Sequence, residues 1–150
     1  MFKVILEELL SYTDIKFEQL PNLAEKIIDI VPKNSILLIE GRVGAGKTTF
    51  VNEFCKKFNI YFSQSPTFAI HNTYKTENAK IDHFDLYRID SDDELESAGF
   101  WDLIVGESDY KIIEWPEKCL SSITQIGYPV FLLKIVPNDN SHQYNLYRLI

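Results

Sequence analysis

The stretch Ser35–Phe50, SILLIEGRVGAGKTTF, joins an apolar run to a glycine-rich turn and the start of a helix. Within it, Gly41, Gly46, Lys47 and Thr48 match the pattern G-x-x-x-x-G-K-[ST], which is typical of a phosphate-binding loop. Glycines let the backbone turn with positive φ and bring N–H groups close to a polyphosphate. The following helix adds the positive end of its dipole. The stretch therefore predicts a strand, a phosphate-binding loop and a helix.

Each part of this loop has an expected role in binding a nucleotide. Lys47 is expected to reach the β and γ phosphates and to assist catalysis, while the Thr48 hydroxyl is expected to ligate Mg²⁺. The residues expected to bind the nucleotide are Gly41, Gly44, Ala45, Gly46, Lys47, Thr48 and Thr49. The alternative is an ordinary glycine-rich connection that carries a lysine by chance. The bare pattern should arise by chance in fewer than about one per cent of chains of this length, so we prefer nucleotide binding.

Two acidic residues are candidates to complete a magnesium site. Glu114 follows Ile112 and Ile113 in the predicted strand 110–115, as a Walker-B acid follows its apolar strand. Asp85 lies two residues after His83 and three before Arg88. If both acids approach the metal, one could hold the ion while the other orients or deprotonates the attacking water. Two alternatives stay open: an exposed glutamate at a strand end, and a structural ion pair at Asp85.

The composition limits what the chain can bind directly. Its 150 residues are 45% hydrophobic, enough for one domain with a substantial core, and the formal net charge is −7. Direct capture of a polyanion would need an excess of lysine and arginine, so any nucleic acid is expected to be held by another protein. Glu7 and Glu8 interrupt the first apolar run before it reaches the length of a signal peptide or membrane span, which predicts a cytoplasmic location.

Hydrophobic periodicity predicts the remaining elements. Strands are predicted at 14–19, 36–39, 68–74, 80–86, 110–115, 130–136 and 144–149. Helices are predicted at 22–31, 47–59, 92–98 and 100–104. Capping boxes at Asn22 with Glu25 and at Ser91 with Glu94 mark two of the helix starts. The first twelve residues are ambiguous between strand and helix.

These elements predict an α/β fold. We expect one P-loop NTPase-like domain over residues 1–150, with a mostly parallel central sheet flanked by helices and a C-terminal hairpin at the edge of the sheet. In such sheets, ligands bind outside the carboxyl ends of the parallel strands. The nucleotide is therefore expected at that end of the sheet.

Taken together, five motifs resemble the TsaE family of bacterial ATPases. They are GAGKTTF at 44–50, SPTF at 65–68, HFDLYR at 83–88, Glu94-Leu95 with Gly99, and EWP at 114–116. The resemblance spans roughly residues 23–116, with the motifs in order. The phosphate loop alone is generic, whereas H-x-D-L-Y-R and E-W-P together with S-P-T-F are specific to that family.

The resemblance implies a function, cofactors and partners. It implies binding of ATP with Mg²⁺, and a role in making threonylcarbamoyladenosine on tRNA, beside the anticodon, together with the TsaD and TsaB proteins. The tRNA would be reached indirectly through that assembly, and no membrane is expected as a partner. By the same resemblance, Thr48 and Glu114 serve Mg²⁺ and Asp85 is important for hydrolysis. The chain departs from many members at Leu20-Pro21, where they have a threonine near the adenine.

Other nucleotide-binding functions fit the sequence less well. A small-molecule kinase normally clamps the transferring phosphoryl group with several arginines, and only Arg42, Arg88 and Arg148 are present here. A GTPase would be expected to carry an N-K-x-D motif, which the sequence lacks. The remaining alternative is a binding module that is controlled by the nucleotide but does not turn it over.

Overall fold

The computed structural model describes residues 4–62, 65–66 and 69–149, and these residues form one mixed seven-stranded sheet with helices on both faces. The strands are β1 (Leu6–Ile15), β2 (Ser35–Glu40), β3 (His71–Lys75), β4 (Lys80–Asp85), β5 (Tyr110–Glu114), β6 (Val130–Pro137) and β7 (His142–Leu149). The helices are α1 (Leu20–Ile30), α2 (Lys47–Lys56), α3 (Asp92–Ser97), α4 (Phe100–Ile104) and α5 (Leu120–Ile123). Single 3₁₀ turns occur at Phe17–Gln19 and Pro116–Lys118.

The parallel strands occupy the centre of the sheet, as predicted. The strand order is β1-β7-β6-β2-β5-β4-β3. β2 is parallel to β5 and β6, and β5 is parallel to β4. β6 and β7 form the predicted antiparallel hairpin, and β1 pairs with the outer side of β7. The first residues of the described chain therefore form a strand, which adds one strand outside the hairpin.

β2 is central because its side chains are apolar on both faces. Residues 36–39 have no exposed surface. Leu37 and Ile39 belong to the core under α1 and α2, whereas Ile36 and Leu38 belong to the core on the opposite face, beside α3, α4 and α5. A strand buried on both faces reads as a continuous apolar run, which is why this element was predictable.

Helix α2 is held to the sheet by aromatic side chains. Phe50 and Phe54 are fully buried, and the ring of Phe54 meets the ring of Tyr110 on β5 edge-on, with centroids 5.1 Å apart. This contact fixes the helix that starts at the phosphate loop over the strand that ends in Glu114. Packing of the helix therefore also sets the distance between the two halves of the predicted site.

Two predicted elements near the start of the chain are wrong. The strand predicted at 14–19 ends at Ile15, and the 3₁₀ turn at Phe17–Gln19 replaces its second half, with Phe17 68% exposed. The predicted capping box at Asn22 lies inside α1, which starts at Leu20 because Pro21 supplies a backbone angle suited to the first helical turn. By contrast, Ser91 accepts a hydrogen bond from the Glu94 amide and caps α3 as predicted.

Other differences concern the ends of elements. α2 ends at Lys56, and Asn59 has positive φ in the turn that follows, so the helix is shorter than predicted. β3 begins at His71, whereas the predicted strand began at Phe68, which lies outside the described residues. No helix in the described residues is long and apolar enough to cross a membrane.

The carboxyl ends of the parallel strands bring the predicted acids together. In the pairing of β4 with β5, Asp85 lies opposite Glu114. The phosphate loop leaves β2 at the same end of the sheet, because β2 runs parallel to β5. Three segments that are far apart in the sequence therefore meet at one edge.

We expect the buried contact between α2 and β5 to carry a large share of the stability. Phe54→Ala should lower the free energy of unfolding by about 3–5 kcal/mol, because it removes a fully buried ring and leaves a cavity. The same substitution at the exposed Phe17 is the control and should change it by less than about 0.5 kcal/mol. Chemical denaturation monitored by circular dichroism measures both. Equal effects of the two substitutions would contradict this account of the core.

Candidate functional site

The phosphate loop has the backbone geometry that its glycines predict. Gly44 and Gly46 have φ of 77° and 94°, values that residues with a Cβ rarely adopt. Gly46 directly precedes α2, and its carbonyl accepts the Phe50 amide at 3.0 Å. A Cβ on Gly41 would lie 2.9 Å from the Ala45 Cβ and 3.0 Å from the Ile135 carbonyl oxygen. The loop is therefore tightly folded against β6.

Lys47 is held inside this loop. Its Nζ donates to the carbonyl oxygens of Gly41 at 2.6 Å and Arg42 at 2.9 Å. The same nitrogen lies 4.1 Å from the centre of the Trp115 ring. Burial lowers the pKa of the Lys47 amine, although the nearby carboxylates of Glu114 and Asp85 act in the opposite direction. A partly desolvated cation in a loop of backbone amides is well suited to bind phosphate oxygens.

Thr48 and Glu114 are in direct contact. The Thr48 hydroxyl donates to Glu114 Oε1 at 2.9 Å, and the Ser65 hydroxyl donates to Glu114 Oε2 at 2.8 Å. The two hydroxyl oxygens are also within hydrogen-bond distance of each other. Glu114 is only 2% exposed, so the alternative of a merely exposed strand-end glutamate is wrong.

Glu114 is kept ionised by its hydrogen bonds. Burial opposes ionisation, but the hydrogen bond from His83, together with those from the hydroxyls of Ser65 and Thr48, lowers the pKa of the Glu114 carboxyl. The shortest of these contacts joins His83 Nε2 to Glu114 Oε2 at 2.6 Å. On the other side of its ring, His83 Nδ1 lies 3.2 Å from the Tyr74 hydroxyl.

Asp85 lies beside Glu114 but in a different environment. One of its oxygens, Oδ1, accepts the backbone amide of Tyr87 at 3.0 Å. Burial, with a further contribution from the charge of Glu114, raises the pKa of the Asp85 carboxyl. The two acids therefore differ in the direction of their pKa shifts although they lie opposite each other in the sheet.

These groups line one cleft of about 420 Å³ at the carboxyl end of the sheet. The cleft is lined by Val43, Gly44, Gly46, Lys47, Thr48, Thr49, Asp85, Tyr87, Glu114 and Trp115. Of the other loop residues, Gly41 lines a neighbouring cleft and Ala45 is fully buried. Contact between a nucleotide and each of these residues stays a prediction.

Sequence reasoning missed the parts of the site that depend on strand pairing. His83 was noted only as a neighbour of Asp85, yet the parallel pairing of β4 with β5 brings it to Glu114. Trp115 follows the end of β5 with a positive φ of 61°, and its ring lies against Lys47. A tryptophan directly after a strand-end acid was the one sequence signal for this contact.

The donor atoms at the bottom of the cleft fit Mg²⁺. The hydroxyl of Thr48, the carboxylate of Glu114 and the nearby carboxylate of Asp85 are hard oxygen ligands, which Mg²⁺ prefers. Within the described part of the chain, no group of three or more histidine, cysteine, aspartate or glutamate residues could hold a metal ion.

Comparisons with known proteins indicate the family. A family model described as "Threonylcarbamoyl adenosine biosynthesis protein TsaE" matches residues 15–144. A tRNA threonylcarbamoyladenosine biosynthesis protein TsaE from Rickettsia felis is 40% identical over 105 residues, which cover 67% of this chain and 58% of that protein. The TsaE protein of Borreliella burgdorferi is 31% identical over 124 residues, which cover 83% of this chain and 90% of that protein. The chain thus spans little more than half of the Rickettsia relative.

A solved structure has the same fold. The crystal structure of Bacillus subtilis YdiB aligns with a TM-score of 0.68 over 100% of this chain and 90% of that chain. The sequence identity is 20%, so this likeness concerns the fold alone. The α/β fold with a mostly parallel central sheet is confirmed.

We expect the ionised Asp85 to destabilise the protein. Because burial raises its pKa, folding favours the protonated form, and the penalty at neutral pH should disappear as the pH falls below the ordinary aspartate value of about 3.9. Asp85→Asn keeps an oxygen for the Tyr87 amide and should therefore raise the Tm at pH 7, with a difference from the parent that shrinks in acid. Thermal unfolding at several pH values measures this. The exposed Asp139→Asn is the control, and a lower Tm for Asp85→Asn at pH 7 would contradict the prediction.

Proposed function

The chain belongs to the TsaE family, and on that premise we propose that it binds and hydrolyses ATP with Mg²⁺ in the biosynthesis of threonylcarbamoyladenosine on tRNA. The observation that carries this proposal is the convergence of Lys47, Thr48, Asp85 and Glu114 on one cleft at the carboxyl end of the sheet. That set contains a cation for phosphate, a hydroxyl and a carboxylate for the metal, and a second carboxylate beside them. These are the parts that phosphoryl transfer in P-loop proteins requires.

The phosphate loop is proposed to bind the triphosphate. Backbone amides of residues 44–49 and the start of α2 present partial positive charge, and Lys47 adds a full charge. On binding, the Lys47 amine would exchange its two carbonyl acceptors, Gly41 and Arg42, for phosphate oxygens. Because phosphate oxygens carry negative charge and the two carbonyls do not, this exchange adds Coulomb attraction and favours the bound state.

Thr48 and Glu114 are proposed to hold Mg²⁺, and Asp85 to act on the attacking water. When bound, the ion would neutralise charge that develops on the phosphate oxygens. Glu114 is suited to ligation because its hydrogen bonds keep it ionised. Asp85 is suited to orienting water and accepting its proton, because a carboxylate with a raised pKa is a stronger base than an ordinary one.

TsaD and TsaB are proposed as partners, with the tRNA held by that assembly. The net charge of −7 supports indirect contact with the tRNA, because direct binding of its phosphates would require a cationic surface. Two apolar side chains at the mouth of the cleft, Val43 and Tyr87, are 68% and 54% exposed. Their position supports a partner that covers the nucleotide site.

We predict that two substitutions separate phosphate binding from metal binding. Lys47→Ala should abolish or greatly weaken ATP binding with and without Mg²⁺, because the loop loses its cation. Glu114→Gln should leave metal-free ATP binding close to the parent value but raise the Mg²⁺ concentration needed for tight binding. Calorimetric titration of ATP, with and without Mg²⁺, measures both effects.

The control for these variants is Lys56→Ala, at the other end of α2, where the side chain pairs with Glu53 on the surface. It should bind ATP as the parent does. Unchanged ATP binding in both Lys47→Ala and Glu114→Gln would exclude this cleft as the nucleotide site.

We also predict that the protein alone hydrolyses ATP slowly and that TsaD with TsaB accelerates it. An arginine that approaches the γ-phosphate can be worth about 10³–10⁵ in rate, and the sequence contains only three arginines, Arg42, Arg88 and Arg148. A partner could supply such an arginine. Steady-state phosphate release should be measured for the protein alone, with the partner pair, and with an Arg88→Ala variant.

Brisk turnover in isolation, unchanged by the partners, would favour a free-standing phosphotransferase. Tight ATP binding without phosphate release in any mixture would instead favour a non-catalytic binding module.

A further inference from the structure

His83 is the most deeply buried ionisable group at the cleft and has no role in the function proposed above. It has no exposed surface, and it lies on β4 under the side chains that line the cleft rather than among them. The rings of Phe62 and Tyr74 pack beside it, with centroids 5.4 Å and 6.0 Å away. A polar ring in such an apolar setting must satisfy both of its nitrogens internally.

The hydrogen bonds on either side of the ring determine which nitrogen carries a proton. An ionised carboxylate only accepts hydrogen bonds, so Nε2 donates to Glu114 Oε2 across their 2.6 Å contact. Asn72 donates to the Tyr74 oxygen at 3.5 Å, which leaves the Tyr74 hydroxyl proton free to point at His83 Nδ1, 3.2 Å away. Tyr74 therefore favours the tautomer of His83 that donates to Glu114.

The same bonds decide which oxygen of Glu114 faces the cleft. Oε2 accepts two hydrogen bonds, from His83 and Ser65, and these fill its usual acceptor positions. Oε1 accepts one, from Thr48. Oε1 therefore keeps one hydrogen-bond acceptor position free, beside Thr48 in the lining of the cleft.

We propose that His83, oriented by Tyr74, is a positioning residue that fixes the Glu114 carboxylate with Oε1 directed to the magnesium position beside Thr48. This inference rests on the proposed function, because it assigns the metal to Thr48 and Glu114. Groups that orient a metal ligand typically change the metal affinity by about 10–100-fold when they are removed. His83 therefore acts on the metal through Glu114 without contacting the metal itself.

Two substitutions at His83 test the direction of its N–H group. The amide nitrogen of His83→Gln lies close to the place of Nε2 and should retain the bond to Glu114, whereas that of His83→Asn lies close to Nδ1 and should lose it. We expect His83→Asn to raise the midpoint Mg²⁺ concentration for ATP binding by about 10–100-fold. His83→Gln should recover most of that loss, and Tyr74→Phe should produce a smaller shift in the same direction. Affinity for ATP without metal should be unchanged in all three.

The metal midpoint can be measured without turnover. Trp115 lies against Lys47, so its fluorescence in a Trp101→Phe background reports binding in the cleft, and Mn²⁺ paramagnetic resonance gives an independent value. The matched control is His71→Asn, on the neighbouring strand, which removes a bond of 2.8 Å between a histidine and the Asp82 carboxylate. This variant should lower the free energy of unfolding without changing the midpoint Mg²⁺ concentration for ATP binding.

The outcomes distinguish this inference from the function on which it rests. Failure of the parent to bind ATP in a magnesium-dependent way would overturn the proposed function. If the parent binds, an unchanged midpoint in His83→Asn, with a loss of stability like that of His71→Asn, would show a merely structural histidine. If His83→Asn does not fold, an unchanged midpoint in Tyr74→Phe overturns the proposal and a raised one supports it.

Discussion

The arrangement of the site depends on the burial of one ionised carboxylate. Glu114 is 2% exposed, and moving a carboxylate of that kind out of water costs several kcal/mol unless donors replace the water. Thr48, Ser65 and His83 supply those donors from α2, the segment before β3, and β4. Because each donor must be present at once, the carboxylate ties together parts of the chain that share no local sequence.

The surrounding backbone is less relaxed than the core. Gly44, Gly46 and Trp115 all have positive φ, and for Trp115 this conformation is costly because it has a Cβ. Trp115 directly follows β5, all of whose residues are buried. The buried strand therefore holds this strained residue in place, with the Trp115 ring over Lys47.

The elements that could be predicted from the sequence are those whose signal is local. The phosphate loop follows from its glycines and lysine, and the central strand follows from its unbroken apolar run. The alternation of apolar and polar residues at 14–19 predicted a strand wrongly, because Phe17 is exposed to solvent and the chain turns there. Tertiary pairing decided that region: β1 forms because β7 offers it an edge, and no short-range pattern contains that information.

The site was predictable only in part, for the same reason. Lys47, Thr48, Glu114 and Asp85 could be named from motifs, and the structure places all four in one cleft. The contact of His83 with Glu114 could not, because it depends on the register between β4 and β5 rather than on spacing along the chain. Likewise, Glu114 is buried partly because β5 lies between β2 and β4, and the sequence of β5 alone does not reveal that position.

The two acids, whose roles the residue pattern alone left open, differ in their surroundings. Glu114 and Asp85 lie opposite each other on adjacent strands, yet donors from three side chains lower the pKa of Glu114, while burial raises that of Asp85. When the surroundings shift the pKa values of two neighbouring carboxyl groups in opposite directions, the two groups commonly take different acid–base roles. Glu114, which stays ionised, is suited to bind a cation, whereas the more basic Asp85 is suited to accept a proton from water. This division supports Glu114 as the metal ligand and Asp85 as the residue that acts on the nucleophile, and it requires the bond from His83 to remain in place.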